Sequence, residues 1–108
     1  MKKIKNFFDR EENLLIHFTM VFLVTIFGFI FNISIKEWII IYLMCGFVIT
    51  TELINSSIEL AVDNYTNKYN EKAKVAKDTA AGAVLISAIT ALIIGIYIFL
   101  PKFVNLIK

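Results

Sequence analysis

The sequence predicts an all-α integral membrane protein, with three transmembrane helices preceded by a short N-terminal interfacial segment. Three observations carry that expectation. The 108 residues are 58% hydrophobic, with a mean hydropathy of +0.74, above the roughly 45–50% apolar share of a soluble domain. Apolar runs of the length a bilayer requires, about 20 residues, occur three times. Nothing alternates with the strand period for long enough to suggest a barrel. A water-soluble fold this short could not hide so much apolar surface, because small domains bury only part of what they carry. The length suits one domain.

Residues 1–13 are the interfacial segment, basic at Lys2, Lys3, Lys5 and Arg10 and acidic at Asp9, Glu11 and Glu12. Residues 14–33 form the first span, interrupted only by His17, Thr19, Thr25 and Asn32. A cleaved signal peptide would have a shorter apolar run, no carboxylates at its entrance and a small-residue cleavage pattern, so this span is expected to be retained. Residues 32–37 make a tight turn to a second span at 38–63. Residues 64–77 form a polar, lysine-rich cytoplasmic loop. A third span occupies 78–100 and is closed by Pro101, which cannot continue a helix comfortably.

The basic residues orient the chain. Lys2, Lys3, Lys5 and Arg10 precede the first span, and Lys68, Lys72, Lys74 and Lys77 lie between the second and third. Only Lys36, Lys102 and Lys108 belong to the other side. The positive-inside rule places the N-terminus and the second connection in the cytoplasm. Every carboxylate except Glu37 belongs to or faces that side. Trp38, Tyr42 and Tyr97 are expected to anchor the opposite interface.

The second span carries the chemistry. At about 100° per residue, Glu52, Asn55, Ser56, Glu59 and Asp63 fall on one stripe. Carboxylates at membrane depth are costly and mark functional sites by default; the plain alternatives are a polar seam between helices or a helix end already outside the bilayer. Three negative charges on one face call for something positive among them. Either Mg²⁺, which takes one or two carboxylates plus a phosphate, or the Lys68, Lys72, Lys74, Lys77 cluster meets that need. Asp78 reads as a cap for the third helix or as part of the same site. His17, at the mouth of the first span, reads as a packing or hydrogen-bonding residue. Ala83, Ser87, Ala91 and Gly95 form a small-residue strip suited to close helix packing.

Absences also discriminate. The four glycines, at 28, 46, 82 and 95, exclude a P-loop or a dinucleotide fingerprint. One histidine excludes a His-Glu-x-x-His zinc site. Cys45, alone in an apolar run, reads as a small hydrophobe rather than a disulfide partner. The net charge of +2 gives no case for nucleic acid.

Glu52-Leu-Ile-Asn55-Ser-Ser-Ile-Glu59-Leu-Ala-Val-Asp63, followed by Ala76-Lys77-Asp78-Thr-Ala-Ala-Gly-Ala-Val, resembles the prokaryotic diacylglycerol kinase family, which includes the undecaprenol kinases. The resemblance covers residues 11–100. It implies a homotrimer of three-span subunits that transfers the γ-phosphoryl group of ATP to a lipid hydroxyl at the cytoplasmic interface. By that likeness Glu52 is the general base and Asn55 helps to position it. Glu11 and Glu59 hold Mg²⁺, and Lys77 contacts the phosphates. Asp63, Asp78, Lys68, Tyr69 and Asn70 line the nucleotide site, and Glu52 and Ala81 border the lipid. Phosphoryl transfer depends on positioning and charge neutralisation more than on covalent help, which suits such a set.

Two positions depart from the family pattern. Only ten residues precede Glu11, and Leu15 stands where an arginine is expected after Glu11-x-Asn13. Two rival readings follow: a homologue that has lost catalysis and serves as a lipid-binding or assembly subunit, and a small oligomeric cation channel along the Glu52 stripe. The polar residues cluster at one membrane face, whereas a pore should be polar through its depth.

Overall fold

A computed structural model describes residues 12–66 and 68–108, with side chains from residue 14 onward. Glu11, expected to ligate Mg²⁺, lies outside the described residues, as does the interfacial segment before it. The chain is all-helical: α1 (Glu12–Ile30), α2 (Ile35–Tyr65) and α3 (Glu71–Ile107). At 1.5 Å per residue, the 31 residues of α2 and 37 of α3 reach about 46 and 55 Å. Both are long and apolar enough to cross a membrane, and both outrun a hydrocarbon slab of about 30 Å. The 19 residues of α1 reach about 28 Å.

Local chemistry sets each boundary. Asn32 adopts a left-handed backbone (φ 53°), and its N–H and that of Ile33 return to the carbonyls of Phe29 and Gly28 at 3.3 and 3.1 Å. This is a Schellman stop, with asparagine where glycine is more usual. Ser34 then caps α2. Its Oγ accepts from the Glu37 N–H at 3.2 Å, and the Glu37 carboxylate accepts from the Ser34 N–H at 2.9 Å, a reciprocal capping box.

Two expected boundaries move. The third helix begins at Glu71 rather than at residue 78, so most of the expected loop at 64–77 is helical and the connection shrinks to residues 66–70. Asn70 is the reason: its side chain accepts from the Ala73 N–H at 3.1 Å and satisfies a donor that a helix start leaves open. Asp78 is therefore an exposed residue within the helix and not its cap. Pro101 does not close α3, which runs on to Ile107. Without an N–H, Pro101 leaves the Tyr97 carbonyl without its usual helical donor. Just beyond it, Lys102 holds this stretch to α2 through Glu37.

The helices run antiparallel. Three polar ties join α2 to α3 along their length: Glu37 to Lys102 at 2.8 Å, the Thr51 and Ser87 hydroxyls at 2.8 Å, and Asp63 to Lys77. Against α1, the Thr25 and Tyr42 hydroxyls meet at 2.8 Å. Gly28 takes the ring of Trp38, and a Cβ there would lie 2.8 Å from Trp38 Cζ2. At this end Ile33, Ile41 and Ile98 form the core, with Val24, Cys45 and Phe99 packed on it. Cys45 is half-buried there, as the small hydrophobe it was expected to be. The rest of the apolar surface faces outward: Phe22, Phe29, Leu43, Ile86 and Leu92 are all more than half exposed. Of the small-residue strip, Ser87 is buried against α2 while Gly95 faces open space.

Candidate functional site

The site lies at the end of the bundle where α1 enters, α2 leaves and α3 begins. Along α1, Leu14 is buried (1% exposed), and His17, one turn on, shares its face toward α2. Opposite it, α2 presents Glu52, the one carboxylate buried among the described residues, at 6% exposure. His17 Nε2 stands 3.7 Å from Glu52 Oε2. That is ion-pair range, longer than a hydrogen bond.

The stripe read from the sequence is real on the helix, but its members have different surroundings. Glu52 is buried, Asn55 and Ser56 are half-buried, and Glu59 and Asp63 are exposed. Asn55 Oδ1 is buried with no hydrogen-bond partner among the described residues. An unsatisfied buried acceptor costs about 1–3 kcal/mol, so it marks a place where a donor is called for.

Nearer the connection, Asp63 and Lys77 form a hydrogen-bonded ion pair. That hydrogen bond raises the Lys77 pKa, opposed by some desolvation and reinforced by the charges of Asp63 and Glu59. Glu59 thus acts on the same ammonium as Asp63. The structure brings Glu59, Asp63 and Lys77 into one charged cluster, about two to three turns of α2 beyond Glu52.

Other expected members do not join it. Lys68 and Asp78 are exposed, Tyr69 is 83% exposed, and none makes an ion pair among the described residues. The Asn70 side chain is engaged in capping α3. Asn70 also lines a shallow cavity of about 300 Å³ with Ala61, Tyr65 and Lys72, which touches no other expected site residue. Ala81 is exposed on α3. No three metal-type ligands cluster among the described residues.

Sequence reasoning placed His17 at the mouth of the first span without a partner. Its contact with Glu52 depends on the register between α1 and α2, of which the only sequence signal is the three-residue step from Leu14. The Thr51–Ser87 tie was likewise not anticipated.

The arrangement sets a buried carboxylate at the inner end of a charged, Lys-bearing cluster, beside a long apolar surface. Such a site can take a proton from a group arriving from the apolar side while charges are balanced on the polar side.

Comparisons with known proteins identify the family. A family model described as prokaryotic diacylglycerol kinase matches residues 1–99. The chain is 47% identical over 92 residues to an undecaprenol kinase of Bacillus subtilis, covering 85% of this chain and 75% of that protein. It is 38% identical over 101 residues to a diacylglycerol kinase of Synechocystis, covering 92% of this chain and 57% of the relative. A diacylglycerol kinase of Helicobacter pylori is 47% identical over 53 residues, 49% of this chain and 41% of that one. No solved structure matches significantly.

Proposed function

The chain belongs to the prokaryotic diacylglycerol kinase family, and from that premise we propose that it is a Mg²⁺-dependent kinase moving the γ-phosphoryl group of ATP onto the hydroxyl of a membrane lipid. The observation that carries this reading is Glu52, a carboxylate buried to 6% exposure on a helix long and apolar enough to cross a membrane. A carboxylate so placed is costly unless it has work to do.

In this reading the lipid hydroxyl reaches Glu52 from the apolar side, past Ala81. Glu52 takes its proton as the lipid oxygen bonds to the γ-phosphorus and the bond to the ADP oxygen breaks. Asn55, one turn away, uses its unpaired Oδ1 to hold a donor, either the lipid hydroxyl or a water. Lys77 meets the phosphates by exchanging Asp63 for a phosphate oxygen, while Asp63, Asp78, Lys68 and Tyr69 border the nucleotide. Asn70 contributes by starting α3, which sets where Lys77 stands.

The donor chemistry fits Mg²⁺, which favours carboxylate oxygen and needs few protein ligands when phosphates supply others. Glu59, exposed and without an ion pair among the described residues, would hold it together with Glu11. When bound, the ion neutralises charge on the transferring phosphoryl group.

Assembly as a homotrimer, a third membrane crossing by α1, and a cytoplasmic site belong to the same proposal. Undecaprenol is favoured over diacylglycerol as the acceptor by the likeness to an undecaprenol kinase over most of both chains. The test is transfer of labelled γ-phosphate from Mg·ATP, in detergent micelles, to diacylglycerol and separately to undecaprenol. Product with either lipid supports the kinase and names its acceptor. No product with either, from well-assembled protein, would leave a homologue without catalysis. Glu59→Gln is expected to raise the Mg²⁺ concentration needed for half-maximal rate, read from a Mg²⁺ titration at fixed ATP.

A further inference from the structure

We propose that His17 is the proton outlet of Glu52, a positioning residue that empties the base between turnovers. The inference rests on the kinase reading and adds a step which that reading leaves open. A base that takes the lipid proton is spent until it gives the proton up. The Glu52 side chain is 8% exposed, so its route to water is narrow, whereas the His17 side chain is 23% exposed. His17 Nε2 lies 3.7 Å from Glu52 Oε2, and this is the sole histidine of the chain. Imidazole is the usual proton shuttle in proteins, because one nitrogen can accept while the other donates.

The steps balance. The lipid O–H gives its proton to Glu52, which becomes a neutral carboxylic acid. That acid passes the proton to Nε2 of neutral His17, restoring the carboxylate and forming an imidazolium. The imidazolium then releases a proton to bulk water from the polar end of the bundle. No electrons change hands, and no reactant beyond water is needed. The 3.7 Å gap closes by a small rotation of either side chain or by one bridging water; resting acid–base pairs are often looser than reacting ones. Placement supports the role as well. Leu14, one turn before His17 on the same face of α1, is buried to 1% exposure, so the imidazole stands on an inward-packed face of the helix.

The experiment measures kcat and both KM values for His17→Asn and His17→Ala in micelles, with and without added imidazole. A thermal melt on each variant checks that it folds. The expected result is a loss in kcat of about 10²-fold, at the lower end of what a positioned acid–base group contributes. Both KM values should hold, and imidazole should recover part of the His17→Ala rate. Adding His17→Ala to Glu52→Gln should cost nothing further, since residues acting as a unit are not additive. A kcat within two-fold of wild type overturns the proposal. So does a loss that imidazole leaves untouched, or one that appears in KM or in the melting temperature instead. Absence of turnover in the wild type would sink the kinase reading itself; wild-type turnover with indifferent His17 variants sinks only the outlet.

Discussion

Where α2 begins, Glu37 meets Lys102 at 2.8 Å and also closes the Ser34 capping box, so the half-buried carboxylate there is fully engaged. Around it Trp38 stacks on Tyr42 at 5.6 Å, Phe29 lies 5.1 Å from Trp38, and Phe31 meets Phe99 edge-on at 6.1 Å. Where α2 ends, the account does not close. Glu52 is buried, Lys77 serves Asp63 while feeling Glu59, and among the described residues Glu59 has no ion-pair partner and Asn55 Oδ1 no hydrogen-bond partner. One end is finished as a structure. The other leaves an exposed carboxylate and a buried amide oxygen without partners among the described residues, and natural proteins concentrate such violations at functional sites.

The contrast breaks most sharply at Glu52. Glu52→Gln keeps the shape and removes the proposed base, so turnover should fall by about 10²–10⁴-fold. Because glutamine keeps the volume and the hydrogen-bonding capacity of the side chain that faces His17, the melting temperature should stay close to wild type. Phosphate transfer and a thermal melt on the same sample check both halves. A large fall in melting temperature would mean that Glu52 belongs with the structural end of the molecule.

The opposite pattern is expected at Gly28. Alanine favours a helix over glycine by about 1 kcal/mol, but its methyl would overlap the Trp38 ring. That ring is held between Phe29 and Tyr42 and has little room to retreat. Overpacking costs about 1–3 kcal/mol, so the clash wins and Gly28→Ala should lower stability. Turnover measured below the melting transition should stay near wild type, because the damage lies at the end remote from Glu52. Gly28→Ala with Trp38→Phe, which shortens the ring, should recover part of the loss.

The same two ends explain how much was legible beforehand. Glu52, Asn55, Glu59 and Asp63 could be placed on one stripe because helical period alone determines who shares a face. Their unequal burial could not, since it depends on how α1 and α3 pack along α2. The contact between His17 and Glu52 depends on inter-helix register, which a single sequence barely encodes. The start of α3 was misplaced because hydropathy marks where lipid begins rather than where a helix does; Asn70, a good capping residue, was the overlooked signal. Pro101 was overweighted for a related reason. A proline removes one hydrogen bond, and the packing of α3 along α2 carries the helix past it. The Ser34-x-x-Glu37 box was present in the sequence and would have set the start of α2.

A smaller effect is expected between the ends, at Ser87, which is fully buried and shares a hydrogen bond with Thr51. Side-chain hydrogen bonds between membrane helices average about 0.6 kcal/mol. Thr51 keeps its bond to the Val48 carbonyl in any case, so Ser87→Ala should cost about that much. A double-mutant cycle with Thr51→Val isolates the shared part, and a coupling near zero would show that the two hydroxyls merely lie side by side.

The smallest effect belongs to the finished end and carries a sign. The Lys102 hydrogen bond, with help from the Ser34 N–H, holds the Glu37 carboxyl below its ordinary pKa against a modest desolvation. A carboxylate depressed in the folded state contributes its stability fully above its unfolded value, about 4.3, and loses it as pH falls through the lower folded value. Both side chains keep about a quarter of their exposure, so solvent screening limits the pair to about 0.2–1 kcal/mol. Wild type should therefore exceed Lys102→Gln in melting temperature at pH 7, and the gap should narrow below about pH 4. The kinase end should not register this change, so turnover at pH 7 should match wild type. If Lys102→Gln lowered turnover instead, the two ends would be coupled through α2 and α3, and the division of labour between them would fail.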